Sequence, residues 1–121
     1  WIRQTIEDIR TRTNREIKVR NKPRPNNEWW GTDIKDSLVG CHCLVTNMSL
    51  SAIDAVLNKT PVICDVRNVC YPISKKLENI ENPECPSRKD FAHWLKIVAE
   101  NQFTIPEIES GKAFEVFKKQ L

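Results

Sequence analysis

The segment from Cys43 to Asp65 constrains the fold of this chain more than any other. It begins with a short apolar run, Cys43–Thr46, which predicts a buried strand. The following residues repeat apolar side chains three and four positions apart, and this spacing predicts one face of a helix. These apolar residues are Leu50, Ile53, Val56 and Leu57. Pro61 ends the helix, and Pro61–Asp65 gives a second apolar strand. The segment therefore predicts a βαβ unit with parallel strands and a right-handed crossover.

Polar residues lie where the first strand meets the helix. In parallel sheets, ligands bind beyond the carboxyl ends of the strands, next to helix N-termini. Backbone N–H groups point outward there, and the helix dipole favours negative charge. Asn47 and Ser49 are residue types that cap helix N-termini. The sequence thus predicts an anion site whose mouth is formed by Thr46, Asn47, Ser49 and Ser51.

A basic loop is the second candidate for binding an anion. Glu16–Arg20 alternates apolar and charged residues, which predicts a strand. Pro23 and Pro25 interrupt regular structure after it, so Arg20, Lys22 and Arg24 would follow the strand's carboxyl end. Arginine forks and lysine point charges both hold phosphate. We expect this loop to face the same edge of the sheet as the Thr46–Ser51 turn; a solvated basic loop is the alternative.

Helices are expected on both sides of this region. Trp1–Thr13 and Arg88–Gln102 show helical apolar spacing, and Pro106–Leu121 predicts a last helix. A short helix is expected within Asn26–Gly40, with Asp33 near its start. Trp29, Trp30, Ile34 and Leu38 would form this helix, and the two tryptophans would be core or interface residues or a platform for a ligand base.

Composition limits the classes of protein that fit. The 121 residues suit a single domain, and 40% hydrophobic with 29% charged residues is ordinary for a soluble globular protein. The net charge of +3 mixes 19 basic with 16 acidic residues, so nucleic acid is not an expected partner. No apolar run is long enough for a membrane span. Five cysteines are expected to be reduced thiols in a cytoplasmic protein.

Known catalytic and metal motifs are not found in the sequence. It lacks a P-loop, a G-x-G-x-x-G fingerprint and a G-x-S-x-G elbow, so no catalytic residue is assigned. A strand would direct Cys41 and Cys43 to one face and His42 to the other. Because no CxxC pair completes a zinc set either, no metal site and no cofactor are expected.

Several motifs together resemble a known family. They are T-N-x-S-x-x-x-x-D-A-x-x-x-x-x-P-V at Thr46–Val62, R-x-K-P at Arg20–Pro23, N-P-x-x-P-x-R at Asn82–Arg88 and Q-F-T-x-x-E-I-x-S-G-K-A-F at Gln102–Phe114. In order and spacing these resemble the donor-binding, C-terminal half of GT-B glycosyltransferases. The likeness is to the capsule-polysaccharide type and to uncharacterised phage and bacterial relatives, and it spans nearly the whole chain.

The resemblance implies a Rossmann-like three-layer α/β domain over residues 1–121, with a short parallel sheet flanked by helices and a C-terminal helical tail. It implies a nucleotide-sugar donor as substrate, held at its phosphates by Arg20, Lys22, Ser49 and Ser51. Thr46 would shape the turn, and Asp54 would contact the ribose or sugar. Asp54 replaces the family's usual Glu, and Lys59-Thr60-Pro61 replaces Gly-x-Pro, which would indicate relaxed backbone constraints at that turn or a divergent member of the family.

A GT-B enzyme works across two such domains, so we expect this chain to be one half of a longer protein. It would be inactive without an N-terminal acceptor domain, and whether it is an enzyme stays open. Two alternatives also stay open. One is a non-catalytic nucleotide- or phosphate-binding module. The other is an interaction domain that docks a partner, or a second copy as a homodimer, through Trp29 and Trp30.

Overall fold

The computed structural model of this chain describes residues 1–121. It contains α1 (Ile2–Arg10), α2 (Ile34–Leu38), β1 (Leu44–Thr46), α3 (Ser51–Leu57), β2 (Val62–Cys64), α4 (Arg88–Glu100), α5 (Ile105–Glu109) and α6 (Lys112–Gln120). Single 3₁₀ turns occur at Tyr71–Ile73 and Leu77–Asn79. The chain forms two compact units, Trp1–Pro86 and Ser87–Leu121. The expectation of one domain over residues 1–121 stays a prediction.

The predicted βαβ segment folds as two parallel strands joined by a helix. Val45 pairs with Ile63 in register, and Leu44 N donates to Pro61 O at 2.9 Å. On the other side of β2, Ile63 forms an isolated parallel bridge with Lys75. Helix α3 packs against both strands. The prediction of a short parallel sheet flanked by helices is therefore confirmed.

The apolar face predicted for α3 is wrong in part. Val56 is buried as predicted, but Leu50 and Leu57 are exposed and Ala52 and Ala55 are buried in their place. The helix contacts β1, β2 and α2. Alanine leaves room for backbones to approach closely, so the small side chains face these neighbours and the leucines at the ends of the helix face solvent.

The C-terminus of α3 ends in a tight left-handed turn. Thr60 N donates to Ala55 O at 2.8 Å and Lys59 N donates to Val56 O at 3.1 Å. These are the two bonds of a Schellman motif, which places residue 59 in the left-handed region that favours glycine. Lys59 adopts it with φ of 57°. The expectation of a relaxed backbone is wrong, because the turn keeps the glycine conformation without the glycine.

The segment Glu16–Arg20 is not a strand. It belongs to no sheet, although Ile17 packs against a buried cluster of Ile9, Ile63 and Ile80. Val19, which a strand would place on the same face as Ile17, is 44% exposed. Only the half-buried Ile17 holds this segment against the core, and the segment pairs with no neighbouring strand. Its alternation therefore reflects local packing and does not indicate a sheet ladder.

The other predicted helices of the first unit are present. Helix α1 occupies most of the predicted Trp1–Thr13. Helix α2 lies within Asn26–Gly40, and its N-cap Asp33 accepts a hydrogen bond from Lys35 N at 2.9 Å. No helix of the structure is both long enough and apolar enough to cross a membrane.

The second unit consists of helices, as expected for a C-terminal helical tail. Ser87 caps α4 by accepting from Asp90 N, and Trp94 is the buried residue of that helix. The single helix predicted for Pro106–Leu121 is wrong, because it divides into α5 and α6. Gly111 lies between them with φ of 81°, a conformation that cannot continue a right-handed helix.

Candidate functional site

The turn after β1 presents two hydroxyl groups that contact each other. Ser51 Oγ donates to Ser49 Oγ at 2.8 Å, and Ser51 N donates to the same oxygen at 3.2 Å. The N-cap of α3 is Leu50, which offers no side-chain cap. Asn47 and Ser49 therefore do not cap the helix as predicted. Instead, the paired hydroxyls form a polar surface at the helix start.

Asn68 joins this turn to the loop after β2. Its Nδ2 donates to Asn47 O at 2.9 Å and to Ser49 O at 3.1 Å, and its Oδ1 accepts from Cys70 N at 2.9 Å. Asn68 is buried, so these bonds satisfy an amide that water cannot reach. The two loops that follow the parallel strands are thus fixed side by side.

An exposed cation follows β2 within the same loop. Arg67 Nε donates to Asp65 Oδ1 at 2.8 Å, and Arg67 N donates to that oxygen at 3.0 Å. These bonds lower the pKa of Asp65 and raise that of Arg67. The bonds leave Nη1 and Nη2 of Arg67 unused, and its side chain is 64% exposed. We call the residues Thr46–Ser51 and Asp65–Asn68 the carboxyl-edge site.

Sequence reasoning missed Arg67, although a signal was present. Asp65, Val66, Arg67 and Asn68 directly follow the predicted strand Pro61–Asp65. Charged residues at that position meet the same edge as the turn after β1, because the carboxyl ends of parallel strands share one edge.

The predicted basic loop is engaged with a different part of the molecule. Arg20 Nη1 donates to Ser37 Oγ at 3.0 Å, and Nη2 donates to Thr32 O at 3.0 Å and Thr32 Oγ1 at 2.9 Å. Its guanidinium also lies 4.9 Å from the ring centroid of Trp29. Every one of these contacts lies in residues 29–37, so Arg20 holds that segment in place and is not free to bind phosphate at the turn after β1.

Three other residues predicted to contact the donor are Lys22, Thr46 and Asp54, and each has different surroundings. Lys22 is exposed, and its backbone oxygen accepts from Asn27 Nδ2 at 2.9 Å. Since Glu16–Arg20 is not a strand, nothing in the sheet directs Lys22 to the carboxyl edge. Thr46 ends β1 opposite Cys64. Asp54 lies in the first turn of α3, half-buried, next to the carboxyl-edge site.

One polar atom of the site is buried without a partner. Asn47 Oδ1 makes no hydrogen bond, while the backbone oxygen of the same residue is held by Asn68. An unsatisfied buried acceptor costs about 1–3 kcal/mol.

Known proteins give no direct guide to this site. Comparisons with protein-family models, curated proteins and solved structures found no match. The resemblance to glycosyltransferases therefore stays a prediction, and the chemistry of the site has to be inferred from its own residues.

The cysteines near the sheet are held as thiols of low reactivity. Burial raises the pKa of Cys43 to about 11 and that of Cys70 to about 12. A thiolate is the reactive form, so these side chains act as core residues and not as nucleophiles near neutral pH. The structure contains no group of three or more His, Cys, Asp or Glu side chains placed to hold a metal ion.

At the carboxyl-edge site hydroxyl groups follow β1, whereas guanidinium and carboxylate groups follow β2 in the loop that Asn68 joins to the first turn. The Arg67 guanidinium can bind two oxygens of a phosphate group, and Ser49 and Ser51 can donate to others. Asp65 and Asp54 can accept from ligand hydroxyls. This set suits a ligand that carries both phosphate and sugar hydroxyls.

Proposed function

We propose that the chain binds a nucleotide-sugar at the carboxyl-edge site, as the donor-binding half of a GT-B-like glycosyltransferase. The Rossmann-like three-layer arrangement belongs to this proposal. It is supported by the parallel pairing of β1 with β2 across α3. In folds of this kind, ligands bind beyond the carboxyl ends of the strands.

The observation that carries the proposal is the double hydrogen bond from Asn68 to the carbonyls of Asn47 and Ser49. Arg67 is the residue next to Asn68, so its positive charge follows one strand while the hydroxyls follow the other. Two loops fixed side by side lose little conformational entropy on binding. A preformed cationic and hydroxyl-bearing edge is what a diphosphate requires.

The roles of the residues change from those predicted. Arg67 takes the place of Arg20 at the donor phosphates, together with Ser49 and Ser51, while Lys22 stays a predicted phosphate contact. Asp54 and Asp65 accept from the hydroxyls of ribose or sugar. Catalysis would then consist of positioning and of stabilising the leaving nucleotide, and the acceptor domain would complete the site.

Calorimetry with a panel of UDP-, GDP- and CMP-sugars, free nucleotides and inorganic phosphate tests this function. We expect one nucleotide-sugar to bind more tightly than its free nucleotide and than phosphate. Tight binding of nucleotide without sugar preference would instead support a non-catalytic binding module. Absence of saturable binding across the whole panel would contradict both.

An interaction domain is the second candidate, and the surface of the first unit favours it at one point. Trp30 is 61% exposed, whereas its neighbour Trp29 is half-buried beneath Arg20. An exposed tryptophan is a common anchor of protein interfaces. A homodimer in sizing experiments that dissociates in Trp30→Ser would support this function, and a monomer at all concentrations would exclude the homodimer.

A further inference from the structure

A cavity lined by three arginines lies outside the carboxyl-edge site. Its volume is ≈ 530 Å³, and its lining includes Arg10, Arg12, Thr13, Asn14, Arg15 and Glu81. We call it the arginine cavity. It is an open depression of the surface with exposed arginines, and its volume alone falls within the range of about 300–1,000 Å³ that is usual for small-molecule sites.

Backbone hydrogen bonds to a core residue fix the segment that carries these arginines. Ile9 is buried with Ile63 and Ile80, and its carbonyl accepts from Arg12 N at 2.9 Å and Thr13 N at 3.0 Å. The chain therefore turns sharply directly after α1. Glu81 follows Ile80 of the same buried cluster, so both walls of the cavity are anchored to one set of core residues.

The arginine cavity lies toward the amino end of β1. His42, which precedes β1 by two residues, contacts Ile80 O through Nε2 at 2.8 Å. The positive charge of Arg15 also lowers the pKa of Cys43 against the larger effect of burial. Cys43 and Asn47 flank β1, and four residues of extended strand span about 13 Å. The cavity is thus separate from the carboxyl-edge site.

The charges of the lining are not balanced within the protein. Three arginines face one glutamate, and Arg15 Nε lies 4.0 Å from Glu81 Oε2 with both side chains about half exposed. An exposed pair of this kind contributes little, so an anion displaces Glu81 at small cost. A cation favours the last turn of a helix. The helix dipole therefore explains why a cation is found at Arg10. It does not explain Arg12 and Arg15, which lie beyond the helix.

We propose that the arginine cavity binds a phosphomonoester small molecule, such as a sugar phosphate. The lining carries two net positive charges, and a phosphomonoester carries about 1.5 to 2 negative charges at neutral pH. Arginine forks bind phosphate oxygens in pairs, and Thr13 and Asn14 offer donors for the remaining oxygens or for hydroxyls of the bound molecule.

Calorimetry with glucose 6-phosphate at fixed salt tests this site on the full chain. We expect Arg12→Gln to weaken binding by about tenfold or more, because a charge-assisted hydrogen bond is lost. The matched control is Arg3→Gln, which removes the same charge from the exposed part of α1 and should leave the affinity unchanged. Glu81→Gln should tighten binding, since it removes the competing carboxylate.

Three results would overturn the proposal. One is the absence of saturable binding, with wild-type folding verified by circular dichroism. The others are an equal loss in Arg3→Gln and Arg12→Gln and an equal affinity for dimethyl phosphate, each of which would indicate only a general attraction to anions. The loss in Arg12→Gln should persist in the Arg67→Gln background, so failure here is distinguishable from failure at the carboxyl-edge site.

Discussion

Asn68 Nδ2 lies 2.9 Å from the backbone oxygen of Asn47, and this contact fixes the loop after β2 against the turn after β1. The residues lie 21 positions apart in the chain. The same amide nitrogen reaches Ser49 O at 3.1 Å, so one buried side chain connects the loops that follow the two parallel strands.

Replacement of Asn68 should therefore destabilise the first unit. We expect Asn68→Ala to lower the free energy of unfolding by about 1–3 kcal/mol, because buried carbonyls lose their donor. Asn68→Asp keeps the acceptor for Cys70 N but removes both donors, so its loss should be at least as large. Urea unfolding measures both. A loss below about 0.5 kcal/mol, typical of neutral surface substitutions, would contradict this role.

Replacement of Lys59 by glycine should have the opposite effect and stabilise the first unit. The φ of 57° at Lys59 places a side chain in the left-handed region, which costs a non-glycine residue about 1–2 kcal/mol. Lys59→Gly should thus raise the midpoint of urea unfolding. The control is Asn58→Gly, one residue earlier, where φ is −87° and no strain is relieved. If both substitutions lowered stability, the Schellman turn would not be strained.

Local patterns predicted the βαβ unit because each of its elements is encoded within a few residues. The apolar runs, the helical spacing and Pro61 all lie between Cys43 and Asp65. The strand predicted for Glu16–Arg20 failed because a strand requires a partner, and partners are not encoded locally. Arg20 was misassigned for the same reason, since its acceptors Thr32 and Ser37 lie 12 and 17 residues away.

We expect Arg20 to stabilise the folded state of the first unit. Its guanidinium makes three hydrogen bonds and covers Trp29, so Arg20→Lys should cost about 1 kcal/mol or more through loss of the planar fork. Lys22→Gln, two residues later and exposed, should leave the unfolding free energy unchanged. Urea unfolding followed by tryptophan fluorescence compares them. Equal effects would show that the contacts of Arg20 contribute nothing.

The second unit should lose stability in acid through Glu107. Its bonds to Lys112 and then to Thr104 lower its pKa from 4.5 to about 2. A lowered folded-state pKa gives stability that is complete above pH 4.5 and is lost as the pH falls toward 2.

NMR titration of the Glu107 carboxyl measures this shift. Lys112→Gln should move the midpoint up toward the ordinary value, whereas Lys118→Gln, in the last turn of α6, should not change it. A wild-type midpoint near 4.5 would show that the bonds of Glu107 to Lys112 and Thr104 do not form in solution.

The carboxyl-edge site is tested most directly by the affinity for the best-bound nucleotide-sugar, measured by calorimetry in Arg67→Gln and Arg20→Gln at one salt concentration. Both variants lose one positive charge. If Arg67 holds the donor phosphates, Arg67→Gln weakens binding by about tenfold or more, whereas Arg20→Gln retains nearly the wild-type affinity. Unchanged binding in Arg67→Gln, with a large loss in Arg20→Gln, would contradict the assignment.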